Sequence, residues 1–150
     1  MTLQEAYNLF ERLKTKTTNK AERKVYEKFT RVLSKLTRTG LSEEEIQSIE
    51  VELDRLNLDS TSGNSKKYHQ KALRNFEKYL KDTFSLISKG YYTNLGIGLG
   101  SSFGILLGIV ILSSFERSLG IAYGISFGML IGLIIGRSMD GKAAAEGKVL

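Results

Sequence analysis

Two stretches of this chain carry no charge. Leu95 to Phe115 reads LGIGLGSSFGILLGIVILSSF, and Leu119 to Gly136 reads LGIAYGISFGMLIGLIIG. A bilayer core of about 30 Å is crossed by roughly 20 helical residues, so both stretches have the length of a transmembrane helix. A helix on a soluble domain needs only one apolar stripe. These two are apolar all round, and the 89 or so residues before them could hardly cover both inside a soluble protein. Only Glu116, Arg117 and Ser118 lie between the runs. The expected result is a tight helical hairpin with spans at about 92–115 and 119–137. Ser138 and Met139 can lengthen the second span, and Tyr91 and Tyr92 fall where aromatic rings favour the membrane interface.

Glycine recurs at every fourth position in both runs: Gly96, Gly100, Gly104 and Gly108 in the first, then Gly120, Gly124, Gly128, Gly132 and Gly136 in the second. Each costs about 1 kcal/mol in a helix interior relative to alanine. Residues four apart share a helical face, so each span carries a groove without side chains. In lipid, where apolar helices gain no hydrophobic drive to associate, such faces allow close van der Waals packing and Cα–H···O contacts. The grooves either close the hairpin within one chain or dock another copy. Gly98 lies off the row and points to a second close approach or a flexible entry. Ser101, Ser102 and Ser126 can hydrogen-bond within or across helices.

The rest of the chain is a different polymer. All but four of its Lys and Arg residues, and all but three of its Asp and Glu, fall within residues 1–89. That region reads as amphipathic helices with start signals. Thr2 with Glu5 and Ser42 with Glu45 have capping-box spacing, and Asn19 with Glu22 opens a helix that Gly40 is expected to end. A loop over DSTSGNS, 59–65, leads to a fourth helix from about Ser65 to Lys89, which either continues into the first span or breaks at Gly90. The expected architecture is all-α, in three parts: a cytoplasmic helical bundle over 1–89, the hairpin over 90–137, and a short polar tail over 138–150. Residues 41–60 are strongly acidic between two basic regions, which favours an acidic third helix packed between basic neighbours. The absence of proline suits long helices.

Orientation follows the distribution of Lys and Arg. Lys78, Lys81 and Lys89 precede the first span, Arg137, Lys142 and Lys148 follow the second, and the connection holds one Arg offset by Glu116. Both termini are expected on the cytoplasmic side. The charged first 30 residues lack a signal-peptide core. Lys24, Lys28, Arg31, Lys35 and Arg38 form one basic stripe, and Lys67, Lys71, Arg74, Lys78 and Lys81 another. Either is an ordinary solvated face or a contact for anionic headgroups, worth about 1 kcal/mol per residue near the surface. The headgroup reading is strongest for Lys71, Arg74, Lys78, Lys81, Lys89 and Arg137, which lie near the spans. Nucleic acid is not an expected partner, because aromatic platforms and known motifs are missing.

Catalytic patterns are absent. GIGLG at 96–100 has Ser101 where a dinucleotide fingerprint needs its third glycine, and no strand precedes it. No P-loop occurs. Cysteine is absent, which excludes disulfides and thiolate metal sites. His69 is the lone histidine, sits among lysines and is expected to be exposed. Glu43 to Glu45 suit a helix N-terminus. The expectation is a non-enzyme with no cofactor and no metal.

The glycine rows, the ERSLG turn, Asp140 and the Glu146-Gly147-Lys148 ending resemble small bacterial membrane proteins grouped as the glycine-zipper family. The resemblance covers residues 90–150 only. It implies a bacterial helical hairpin, hence the inner membrane, and brings no catalytic residue with it. Two functions stand as expectations. One is a membrane-anchored, non-catalytic interaction module that binds an unidentified cytoplasmic protein or itself. The other is a self-assembling, membrane-perturbing or pore-forming effector or toxin whose glycine faces build a homo-oligomer.

Overall fold

A computed structural model describes residues 1–59, 65–112 and 117–150. Among them are six α-helices and no strand: α1 Leu3–Lys16, α2 Lys20–Leu36, α3 Glu43–Arg55, α4 Ser65–Phe84, α5 Tyr91–Leu112 and α6 Arg117–Ala145. They form two compact units, Met1–Ile87 with Leu150, and Ser88–Val149.

In the first unit the start signals act as the sequence implies. The Thr2 hydroxyl accepts the Glu5 N–H at 3.1 Å while the Glu5 carboxylate accepts the Thr2 N–H at 2.8 Å. Ser42 and Glu45 repeat the exchange for α3. The Asn19 side chain accepts the Ala21 N–H at 2.9 Å. Each exchange satisfies donors that a helix start leaves without partners.

The helix ends differ from expectation. α2 stops at Leu36 rather than at Gly40. The Thr37 and Thr39 hydroxyls donate to the Ser34 and Lys35 carbonyls at 2.9 Å, so the last turn is satisfied without a left-handed glycine. α4 ends at Phe84 rather than near Lys89, because Ser85 takes a φ of 57° and the Leu86 N–H turns back to the Leu80 carbonyl. α4 therefore does not run into α5, and Gly90, at φ 78°, precedes the new helix. Of the expected loop over 59–65, residues 60–64 lie outside the described residues.

Phe10, Phe29 and Phe76 centre the core. The Phe10 and Phe29 rings stack with centroids 4.0 Å apart, and Phe29 lies 6.4 Å from Phe76. Leu33, Leu36, Ile49, Leu53 and Leu80 close around them, and Leu150 joins this core. α1 packs on α2, α2 on α4, and α3 touches α1 and α4. The acidic helix thus does not separate the basic α2 and α4, which meet directly. Their charges point outward, where each pair is worth only ~0–1 kcal/mol, and apolar burial decides which helices become neighbours.

His69 is buried, with 1% of its surface exposed, contrary to expectation. It falls four residues before Leu73 and seven before Phe76, on the apolar face of α4. Its Nδ1 lies 2.8 Å from the Ser65 carbonyl oxygen and its Nε2 3.2 Å from that of Leu58. Phe10, Tyr26 and Tyr68 meet the ring edge to face, with centroids 5.4 to 5.7 Å away.

The second unit is an antiparallel pair, α5 against α6. α6 continues to Ala145, so the segment after residue 137 is helical for two further turns rather than a tail. It ends in a Schellman motif. Gly147 has a φ of 70°, its N–H donates to the Ala144 carbonyl, and the Lys148 N–H donates to that of Ala143. Residues 113–116, which hold the end of the expected first span and Glu116 of the turn, lie outside the described residues. Arg117 and Ser118 already belong to α6.

Candidate membrane-embedded hairpin

Glycine decides how α5 and α6 meet. A β-carbon added to Gly96 would strike the Gly132 carbonyl. One on Gly100 would strike that of Gly128, one on Gly104 that of Gly124, and one on Gly108 that of Gly120. As the number rises by four on α5 it falls by four on α6, which is the register of an antiparallel seam. The obstruction is main chain throughout. The added atom on Gly100 would also lie 3.2 Å from the Gly132 Cα, and that on Gly104 3.2 Å from the Gly128 Cα. Gly136 meets the main chain of Tyr92 and Thr93 in the same way. All nine row glycines are thus engaged between α5 and α6 of one chain, whereas a β-carbon added to Gly98 would meet nothing within 4 Å.

The large side chains face the other way. Phe103, Leu106, Val110, Phe127, Leu130 and Ile134 are each more than half exposed. Both helices are long and apolar enough to cross a membrane, and only 11% and 17% of their most apolar windows is buried. The core helix of a soluble protein is mostly buried. This pair is inverted, with its smallest residues inside and its largest apolar ones outside. The polar side chains within the spans are quiet. Ser101, Ser102 and Ser126 donate to the Ile97, Gly98 and Ala122 carbonyls of their own helices, at 2.7, 3.0 and 2.9 Å. None bonds across the seam.

One end of the hairpin is clasped by Asp140. Its carboxylate accepts the Tyr92 N–H at 3.0 Å, the Thr93 N–H at 2.9 Å and the Thr93 hydroxyl at 2.6 Å. Sequence reasoning placed Asp140 on a polar tail and missed this role. The available signal was its spacing, four residues beyond Gly136 and so on the same face. Farther along, Glu146 and Lys148 pair at 2.6 Å. The hydrogen bond from Lys148 holds the Glu146 carboxyl below its ordinary value and raises the lysine above its own.

Of the expected headgroup contacts, Lys71, Arg74, Lys78 and Lys81 lie on α4 in the first unit, opposite its buried face, with Lys81 half-buried. Lys89 and Arg137 are exposed in the second unit. Among the described residues, no three His, Asp or Glu side chains gather as a metal site. No family model matches the chain, and no curated protein or solved structure matches it.

Proposed function

We propose that this protein is a non-enzymatic integral membrane protein: a hairpin anchor carrying a helical interaction module. The observation that carries this reading is the inverted hairpin, with main chain packed on main chain inside and Phe, Leu and Ile turned outward. In water such a surface would be a large exposed apolar patch of the kind that drives association. In lipid it is the expected exterior. The placement of Lys and Arg favours both termini on the cytoplasmic side, and the family resemblance supplies the bacterial inner membrane. Lys71, Arg74, Lys78, Lys81, Lys89 and Arg137 are proposed to meet anionic headgroups, and the four-helix unit to bind a cytoplasmic protein.

Closure within one chain is favoured over the self-assembling effector, because the seam already engages all nine row glycines. The deciding comparison expresses the native chain and a Gly124→Leu/Gly128→Leu variant, then follows fractionation, cross-linked size and membrane potential. The native protein should stay in the membrane fraction without depolarising cells. Recovery in the soluble fraction without detergent would overturn the membrane assignment. Depolarisation by the native chain that the variant loses would establish the effector instead.

A further inference from the structure

We propose that the hairpin holds one acyl chain of an anionic phospholipid in a groove along one side of the glycine seam. This rests on the membrane reading and goes beyond it by naming a bound lipid. The groove has a volume of about 410 Å³, with the seam as its floor. Its walls are Leu99, Phe103 and Leu107 on α5 and Phe127, Ile131 and Ile135 on α6. All six are more than half exposed. The two flanks of the seam differ. On the far flank Ile97, Ile105, Ile121 and Ile125 are half-buried, whereas on this flank the large side chains splay and leave the floor open.

Three features select the occupant. Among the described residues no charged side chain lines the groove, which suits a hydrocarbon chain. Among the described residues the groove runs from Gly96 to Leu107, about 17 Å at 1.5 Å per residue. That is close to one leaflet, half of a core about 30 Å thick. A second transmembrane helix would use the full thickness. The third feature is charge. Lys142 is exposed and stands seven residues beyond Ile135, about 10 Å along the same face of α6. The bonds from Tyr92 and Thr93 to Asp140 set this part of α6 level with the start of α5. Lys142 therefore stands at headgroup height, where a phosphate on the grooved chain can reach it.

The test is native mass spectrometry of the full chain released from nanodiscs of phosphatidylglycerol or phosphatidylcholine. One phosphatidylglycerol per chain should be retained, preferred about fivefold, the effect of one lysine near the surface. Lys142→Gln should erase the preference yet keep a lipid. Ile131→Trp fills the groove and should lose the lipid with unchanged helicity by circular dichroism. Leu99→Trp, on the opposite wall, is the companion variant should Ile131→Trp lose helicity. Retention unaffected by the groove-filling variants overturns the proposal. So does disulfide cross-linking between chains through Phe103→Cys, which would seat a second copy there. A chain that stays in the membrane but retains no lipid defeats this inference alone, whereas one that fractionates without detergent defeats the membrane reading beneath it.

Discussion

Thr93 and Asp140 face each other across the open end of the hairpin, and the Thr93 main-chain N–H and hydroxyl both donate to one carboxylate oxygen, at 2.9 and 2.6 Å. The first N–H groups of a helix have no partner within it. Here the cap for α5 comes from the neighbouring helix, and its negative charge sits at the positive end of the α5 dipole. Asp140→Ala should cost about 1 kcal/mol, the usual loss when an N-cap is removed. Hydrogen exchange in detergent should show the Tyr92 and Thr93 amides losing protection while amides near Gly104 keep theirs. Unchanged protection at Thr93 would refute the clasp.

The glycines divide sharply by environment. Gly104→Ala places a methyl group against the Gly124 carbonyl and should cost about 1–3 kcal/mol by overpacking. Gly98→Ala meets nothing within 4 Å and should be neutral or stabilise α5 by up to about 1 kcal/mol, the helix-propensity gain. Unfolding in mixed detergent, read by circular dichroism, gives both values. Equal effects would mean that the seam does not limit the packing.

In the helical unit, Phe10→Ala removes a fully buried ring that contacts Phe29, Tyr26 and His69. A loss of about 3–5 kcal/mol is expected, a large share of the roughly 5–15 kcal/mol that holds an ordinary domain folded. Chemical denaturation followed at the far-ultraviolet helix signal measures it. A measured loss of less than a third of that would contradict the packing.

Ser85 is a non-glycine residue in the left-handed region, at φ 57°. That conformation costs a residue with a β-carbon roughly 1–2 kcal/mol. Ser85→Gly removes the clash but adds freedom to the unfolded chain. The net expectation is a stabilisation of a few tenths to about 1 kcal/mol, seen as a higher thermal midpoint. Ser85→Val should lower it.

Local signals in the sequence carried far. Thr2, Asn19 and Ser42 cap their helices because capping is settled within three residues. The antiparallel hairpin was legible from charge-free length and glycine spacing. Features decided at a distance were not. His69 looked exposed from its lysine neighbours, yet its burial depends on the face it shares with Leu73 and Phe76. The stop at Leu36 depends on threonine hydroxyls that compete with glycine for the last turn. The order of helices in the first unit follows apolar fit rather than the charge alternation between α2, α3 and α4. Asp140 could be joined to Thr93 only after the seam had fixed the register between them.

The seam also limits how this chain can change. In an ordinary core, a side chain that grows can be answered by a partner that shrinks. Opposite Gly100 stands the carbonyl of Gly128, and neither residue has a side chain to give up. A substitution there has no compensating change across the interface, and the helices can accommodate it only by moving apart. A genetic screen should accordingly recover no second-site suppressor within the row. Any revertants should restore glycine at the same codon.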